Sequence, residues 1–412
     1  MLPSFLAILA AAPLVIQNVT VVDVETGKLR PGTTVVVEGD RIARLGPVAS
    51  LATPAGALVV EGKGRYLIPG LWDMHVHLEF GDWFPGGRDI SLPLLLANGV
   101  TGVRDMGGEL ETLQQWRKEI AAGSLAGPRL VLSGPMLDGP KPVFPSSLAV
   151  STPDDGRRAV RDLKARGADF VKLQSLIPRD AVFAIADEAR KVGLPFAGHV
   201  PQAVRASEAS EAGQKSFEHL IGIFEGSSPK EEEFLKGEKT PGRLLASFDE
   251  KRAAALVALL ARNRTWQCPT LAWERGGNLL DERDLARDPL AKYAPASWKE
   301  GTWKRFTNLI LNEWTVDDLA TRRRFVEKEL AVVRAMHRAG IPFLAGTDTA
   351  AGVYIFPGFS LHDELSNFVS AGFTPLEALQ TATLRPAQFL ALEDRLGRVE
   401  AGMLADLVLL DA

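Results

Sequence analysis

Over residues 68–390, short apolar strands alternate with amphipathic helical stretches, a pattern that predicts an α/β fold of the (β/α)8 TIM-barrel type. Short strands at both chain ends, in 14–67 and 391–412, predict a small β-sandwich domain assembled from the two ends. The 412 residues are 46% hydrophobic and 24% charged, enough apolar material for a core of that size.

Taken in order, residues Phe5 to Ile16 form an apolar run broken only by Pro13. It is shorter than the roughly 20 residues that span a bilayer. Ala10-Ala11-Ala12 suits the small-residue cleavage site of a signal peptide, yet no Lys or Arg precedes it. Residues 1–13 therefore read either as a signal peptide, with a periplasmic or secreted product, or as an apolar lead-in to the first strand of a cytoplasmic one. Strands follow at Leu14–Val22, Thr33–Glu38, Arg41–Gly46 and Leu58–Glu61, with a hairpin turn at Glu38-Gly39-Asp40-Arg41. At the far end, Gly397–Glu400 and Ala405–Leu410 read as strands joined by an Ala401-Gly402 turn.

Eight barrel strands are expected at Ile68–Leu78, Val100–Met106, Arg129–Gly134, Asp169–Gln174, Leu194–Val200, Lys215–Ile221, Thr265–Leu271 and Ile341–Asp348. Residues 223–330 exceed what one βα unit needs and hold Trp266, Trp273, Trp298, Trp303 and Trp314, so a mostly helical elaboration around strand seven is expected. Lys+Arg total 47 against 51 Asp+Glu, a net charge of −4 without a long basic block, which speaks against a dedicated nucleic-acid binder. No stretch after the amino terminus reads as an integral membrane span, and a single cysteine, Cys268, excludes an intramolecular disulfide framework.

The chemistry-bearing residues fall at strand ends. In Asp73-Met74-His75-Val76-His77 the two imidazoles sit at i and i+2 and project to one side of a strand, while Met74 and Val76 face the helices. Two ligands on a barrel-facing side suit a metal whose bound water is activated at neutral pH. His-x-His alone is a weak signal; its place at the C-terminal end of a strand, after Pro69-Gly70, strengthens it. In Phe170-Val171-Lys172-Leu173-Gln174, alternation turns Lys172 inward. A lone buried ammonium is costly. A salt bridge, a Schiff-base role, or reaction with carbon dioxide to a two-oxygen carbamate ligand would each resolve it. His199 and His219 end the next two strands, and each alone reads equally as a hydrogen-bonded core histidine. With His75, His77 and Lys172 they occupy strands one, four, five and six. Asp348 ends the last candidate strand, where it would cap the next helix or, in this company, serve as metal ligand and general base.

Other residues have weaker claims. Arg104 and Asp105 end strand two, as candidates for a substrate carboxylate contact or for an internal ion pair. Lys141 lies in a proline-rich loop, Pro135 to Pro145, expected over the barrel mouth, and is a candidate substrate contact. His362 lies on a helix beginning near Ser360, where its amino end would point at the mouth, and is another. His337, near a helix C-terminus, reads as structural. Glu218 precedes His219, so alternation turns it away from the metal side. Cys268 reads as a small buried hydrophobe.

The stretch Pro69-Gly70-Leu71-Trp72-Asp73-Met74-His75-Val76-His77, with Lys172, His199, His219 and Asp348, resembles the metal-dependent amidohydrolase superfamily. Gly346-Thr347-Asp348-Thr349, Thr374-Pro375-Leu376-Glu377-Ala378-Leu379 and Gly402-Met403-Leu404-Ala405-Asp406-Leu407 carry the resemblance over nearly the whole chain. It is most similar to the imidazolonepropionase-like branch that includes Xaa-Pro dipeptidases and carboxypeptidase-like enzymes. The resemblance implies two divalent metals, usually zinc, bridged by carboxylated Lys172 and a hydroxide. His75, His77 and Asp348 would hold one metal, and His199 and His219 the other. It also implies hydrolysis of an amide bond in a small molecule, such as a dipeptide, an N-acyl amino acid or a cyclic amide, with Asp348 as general base and acid. Lactone or phosphotriester hydrolysis at the same metals, and a non-catalytic metal-binding barrel, are the alternatives. Members of that branch usually continue past Asp406-Leu407-Val408 with further small-domain strands, so a small domain cut short at Ala412 is expected.

Overall fold

The computed structural model describes residues 12–144, 146–237, 239–282, 284–313 and 317–411. Residues 1–11 of the candidate signal segment, Pro145 and Trp314 lie outside them. The chain divides into two compact units, one running to Leu71 and resuming at Ala382, the other spanning Trp72–Thr381.

The first unit carries β1 (Leu14–Val22), β2 (Leu29–Glu38), β3 (Arg41–Pro47), β4 (Leu58–Glu61) and β5 (Tyr66–Pro69), joined from the chain's far end by β15 (Leu407–Leu410). They form one six-stranded sheet in the order β15-β5-β1-β2-β3, with β4 also paired to β1. The expected sandwich is therefore a single mixed sheet among the described residues. Its core comprises Ile16, Val19, Val21, Val35, Val37, Ile42, Leu67, Val399 and Met403. Ile16 and Val19 share that core although three residues apart. Asn18 at φ 60° and the register shift beside it reset the period-two alternation. Gly397–Glu400, expected as a strand, is instead irregular. Gly397 at φ 85° turns the chain, and Val399 reaches the core without a ladder.

The expected first barrel strand is split. Pro69 has no N–H to donate, and the ladder ends there. Gly70 N donates to Asp406 O, and the chain restarts as β6 (Leu71–Val76). The unit boundaries fall after Leu71 and Thr381, and the helix Leu384–Leu390 goes with the small unit.

In the second unit, β6, β7 (Val100–Asp105) and β8 (Arg129–Leu132) form one sheet in chain order. A second sheet takes β9 (Leu137–Asp138), β10 (Leu148–Ala149), β11 (Val171–Leu173), β12 (Phe196–Gly198), β13 (Ser216–Glu218) and β14 (Trp266–Cys268), in the order β10-β9-β11-β12-β13-β14. The pairings from β11 to β14 are all parallel, and helices intervene, as in βα units. The arrangement is TIM-barrel-like without one uninterrupted ladder. The expected eighth strand, Ile341–Asp348, is an extended segment held by single bridges, Gln267↔Phe343 and Val76↔Thr349. Leu344 N donates to Gln267 O, and Ala345 O accepts from Met74 N, so the segment lies between β14 and β6. Gly346 permits this close approach: a Cβ there would strike Cys268 Sγ and lie 2.8 Å from His75 Cβ.

After β13 come the helices Ile223–Gly226, Glu231–Phe234, Pro241–Ser247 and Glu250–Asn263, and after β14 Leu271–Asn278, Lys304–Glu313 and Leu319–Arg338, matching the expected helical elaboration. Trp298 and Trp303 are buried there with Phe80, Phe84 and Phe356. Among the described residues no helix is long and apolar enough to cross a membrane.

Candidate metal centre

The strand β6 turns His75 and His77 to one side, as period two requires, and both are buried. Asp348 Oδ1 lies 3.3 Å from His75 Nε2 and 3.1 Å from His77 Nε2, and its Oδ2 lies 3.9 Å from His219 Nε2. Ligand atoms of His75, His219 and Asp348 all fall within 4.8 Å of one another. The rings of His199 and His219 meet edge to face at 5.0 Å, which brings His199 into the same group. Lys172, fully buried on β11, makes its charge felt at His199, His219 and Glu218. Gly198 gives it room, because a Cβ there would lie 2.8 Å from Lys172 Cδ. The six residues expected as ligands thus converge from β6, β11, β12, β13 and the 341–349 segment.

Each imidazole is held by a partner on its other nitrogen. His75 Nδ1 is 2.9 Å from Glu218 Oε2, and His77 Nδ1 is 3.0 Å from Gly107 O. His199 Nδ1 is 2.8 Å from Ser175 Oγ, and His219 Nδ1 is 2.6 Å from Thr270 Oγ1. This leaves the Nε2 atoms for the centre, the arrangement expected of metal-bound histidines. Among the described residues, His75 Nε2, Lys172 Nζ and Asp348 Oδ1 are buried without a hydrogen-bond partner. Orphaned buried polar atoms are costly, and His75 Nε2 and Asp348 Oδ1, 3.3 Å apart, are a donor pair that fits a bound cation.

The electrostatics agree with that donor set. Burial, helped by the nearby charges of Lys172 and His75, holds His219 down to about 3. Burial and Lys172 push His199 well below the usual histidine range. Both are neutral at neutral pH, as metal ligands must be. Burial would raise the Asp348 carboxyl, but His75, His77 and His219 outweigh it and hold it well below the carboxylate range. Burial lowers Lys172 to about 8 against the pull of Glu218 and Asp348.

Two expectations are corrected. Glu218 is not turned away from the metal side. His219 takes φ 60°, alternation stops at the end of β13, and consecutive side chains face inward. Arg104 does not face substrate. It is fully buried, with Nη2 2.9 Å and 3.1 Å from the two Glu218 oxygens, Nη1 donating to Ser216 Oγ and Nε to Met74 O. Burial opposes Glu218 ionisation, yet Arg104 and His75 keep it below its usual range. Asp105 likewise serves the backbone, accepting from Leu78 N at 2.7 Å and Gly107 N at 3.1 Å.

His362 is not brought to the centre either. It is exposed, with Nε2 3.1 Å from Asn98 O. Lys141 is exposed on its loop. His337 stacks on Phe373 at 3.7 Å, a structural contact. Cys268 is buried, and burial pushes its thiol well above the usual range. Sequence reasoning also missed Ser175, Thr270 and the role of Asp73. Asp73 Oδ2 accepts from Thr347 Oγ1 at 2.6 Å and Oδ1 from Thr347 N at 3.0 Å, fastening the 341–349 segment to β6. Only Asp73, inside the His-x-His stretch, carried a local signal.

Over 427 aligned residues, 96% of this chain, the sequence is 25% identical to "Adenine deaminase 3" of Rhizobium meliloti (strain 1021). The match covers 54% of that protein, so the chain spans about half the length of this curated relative. The structure of bottromycin amidohydrolase superposes with a TM-score of 0.71 at 25% identity, over 96% of this chain and 81% of that one. A Xaa-Pro dipeptidase with methionine bound in its active site superposes with a TM-score of 0.69 at 20% identity, over 97% and 94%, a likeness of fold. The profile of the Amidohydrolase family matches residues 66–412, from β5 to the end of the sequence, and the chain belongs to that family.

Proposed function

We propose that this chain is a binuclear metal-dependent hydrolase of the amide bond in a small substrate, such as a dipeptide or an N-acyl amino acid. The observation that carries this reading is the buried cluster of His75, His219 and Asp348, whose ligand atoms lie within 4.8 Å of one another. His75, His77 and Asp348 would hold one divalent ion, zinc by preference for this donor set. His199 and His219 would hold the other, with Lys172 between them. When bound, the ions polarise the scissile carbonyl and acidify water.

The remaining work belongs to the chain's own residues. The neutral Lys172 amine adds to carbon dioxide, forming an N–C bond and releasing one proton. The product is an anion where a lone ammonium would be repelled by two dications. Asp348, ionised in its buried setting, accepts the proton of the attacking water and delivers it to the departing nitrogen. Glu218, Gly107 O, Ser175 and Thr270 fix the imidazole orientations. Phe80, its ring 4.6 Å from that of His77, and Trp273, 5.2 Å from that of His219, pack apolar surface on the ligands.

The likeness to bottromycin amidohydrolase favours an amide, and the likeness to an adenine deaminase names the competing C–N substrate. A panel of dipeptides, N-acyl amino acids and adenine, offered to zinc-loaded protein, tests the reading. Amide turnover that chelation removes and zinc restores is expected. Ammonia release from adenine with no amide turnover would overturn it.

A further inference from the structure

Beside His219 opens a cavity of about 280 Å³ that reaches to Phe325 and Glu329 on the helix Leu319–Arg338. Phe224, Leu244, Trp273 and Phe325 give it apolar walls. Two carboxylates are sunk into them: Glu274 is 9% exposed and Glu329 only 2%. Glu329 Oε2 is buried with no hydrogen-bond partner. Burial pushes Glu274 up to about 8, with the charges of Asp348 and Glu364 adding to it, and burial with Glu274 raises Glu329. The cations on the same lining have other engagements. Lys239 Nζ sits 2.9 Å from Glu225 Oε1, and Arg322 Nη1 donates to Asn278 Oδ1 at 3.2 Å.

Two acids in a shared apolar wall cost free energy unless an opposite charge arrives. We propose that this cavity is the substrate's side-chain pocket and that it takes a cationic side chain, an ammonium or guanidinium on an aliphatic stem, with Glu274 and Glu329 as its anchors. The apolar walls strip water from the stem, as long basic side chains favour, and the Trp273, Phe224 and Phe325 rings add faces that attract a cation. The assignment rests on the amide-hydrolase reading for its pose. With the scissile amide at the centre that includes His219, one substituent of that amide enters the cavity His219 also lines.

The test is equilibrium binding to the zinc-loaded chain, by titration calorimetry, of Nα-ethyl-lysine against Nα-ethyl-norleucine, secondary amines that the chain cannot hydrolyse, the second keeping the stem and lacking the charge. The lysine derivative should bind at least about 30-fold more tightly, as an unshielded buried charge pair allows. Glu329→Gln and Glu274→Gln should each erase most of that preference, with thermal melts showing that the variants fold. Equal affinity of the two ligands for the unsubstituted chain overturns the pocket assignment and requires no variant. Turnover of lysyl and norleucyl amides is followed in parallel. Hydrolysis without charge preference overturns the pocket alone. Charge preference in binding without hydrolysis of any amide upholds the pocket and overturns the hydrolase reading.

Discussion

Asp348 concentrates the chemistry of the site in one side chain. Its Oδ1 meets His75 and His77, its Oδ2 faces His219, and the surrounding imidazoles keep it ionised. Asp348→Asn keeps an oxygen for coordination and loses the ability to take up a proton. At matched metal content its kcat should fall by about 10²–10⁴-fold, with KM changing less. Steady-state kinetics on metallated protein checks this, and turnover within a few-fold of the unsubstituted chain would move the base elsewhere. At this scale the six candidate ligands were legible, because His, Lys and Asp are conspicuous at the ends of apolar strands. Glu218 was misread for a physical reason. Strict alternation assumes extended backbone, and His219 at φ 60° leaves it. The buried pair Arg104–Glu218 then orients His75 from beneath.

Among the elements, the 341–349 segment depends most on its neighbours. It lacks a continuous ladder and is held by Asp73, two bridges and the space over Gly346. Gly346→Ala would press a Cβ onto Cys268 Sγ and the His75 backbone. Overpacking of this kind costs about 1–3 kcal/mol. Urea unfolding should show that loss, and Cys268→Ala in the same chain should recover part of it. The helix Phe359–Ser370 offers a second test through Glu364, whose Oε2 accepts from Ala272 N at 2.7 Å at the start of the helix Leu271–Asn278. Burial pushes this carboxyl from 4.5 up to about 8, with Asp73 and Asp363 adding to it and the backbone hydrogen bonds opposing it. In that window the unfolded chain has released the proton and the folded chain still holds it. Stability therefore falls as pH rises from 4.5 towards about 8, by up to about 1.4 kcal/mol per pH unit from this group. Glu364→Gln keeps an acceptor and should flatten that part of the pH profile in urea titrations. An unchanged slope would assign the titration to another group.

For the whole molecule, metal content and stability should move together, because the candidate ligand set buries His75 Nε2 and Asp348 Oδ1 without hydrogen-bond partners, where a cation would compensate them. Zinc-loaded protein should carry about two ions per chain, the stoichiometry of a paired site. Chelation should lower Tm, since free metal at about 1,000 times its Kd stabilises a folded chain by roughly 4 kcal/mol. Lys172→Ala should carry less zinc, with partial recovery in acetate, which supplies the missing carboxylate. Elemental analysis near zero after loading would dismiss the centre.

The sequence by itself determined the α/β alternation, the sheet built from both chain ends, the helical elaboration after β13 and the identity of the candidate ligands, because hydrophobic period and residue type are local properties. Tertiary structure decided the rest. It split the strand at Pro69-Gly70, where the second half pairs elsewhere. It left the last barrel segment as an irregular strip fastened by Asp73. It also gathered Glu218, Ser175 and Thr270 behind the histidines, and Glu274 with Glu329 beside them. These partners lie tens of residues apart in the chain, and only packing brings their atoms within hydrogen-bonding or charge-coupling range.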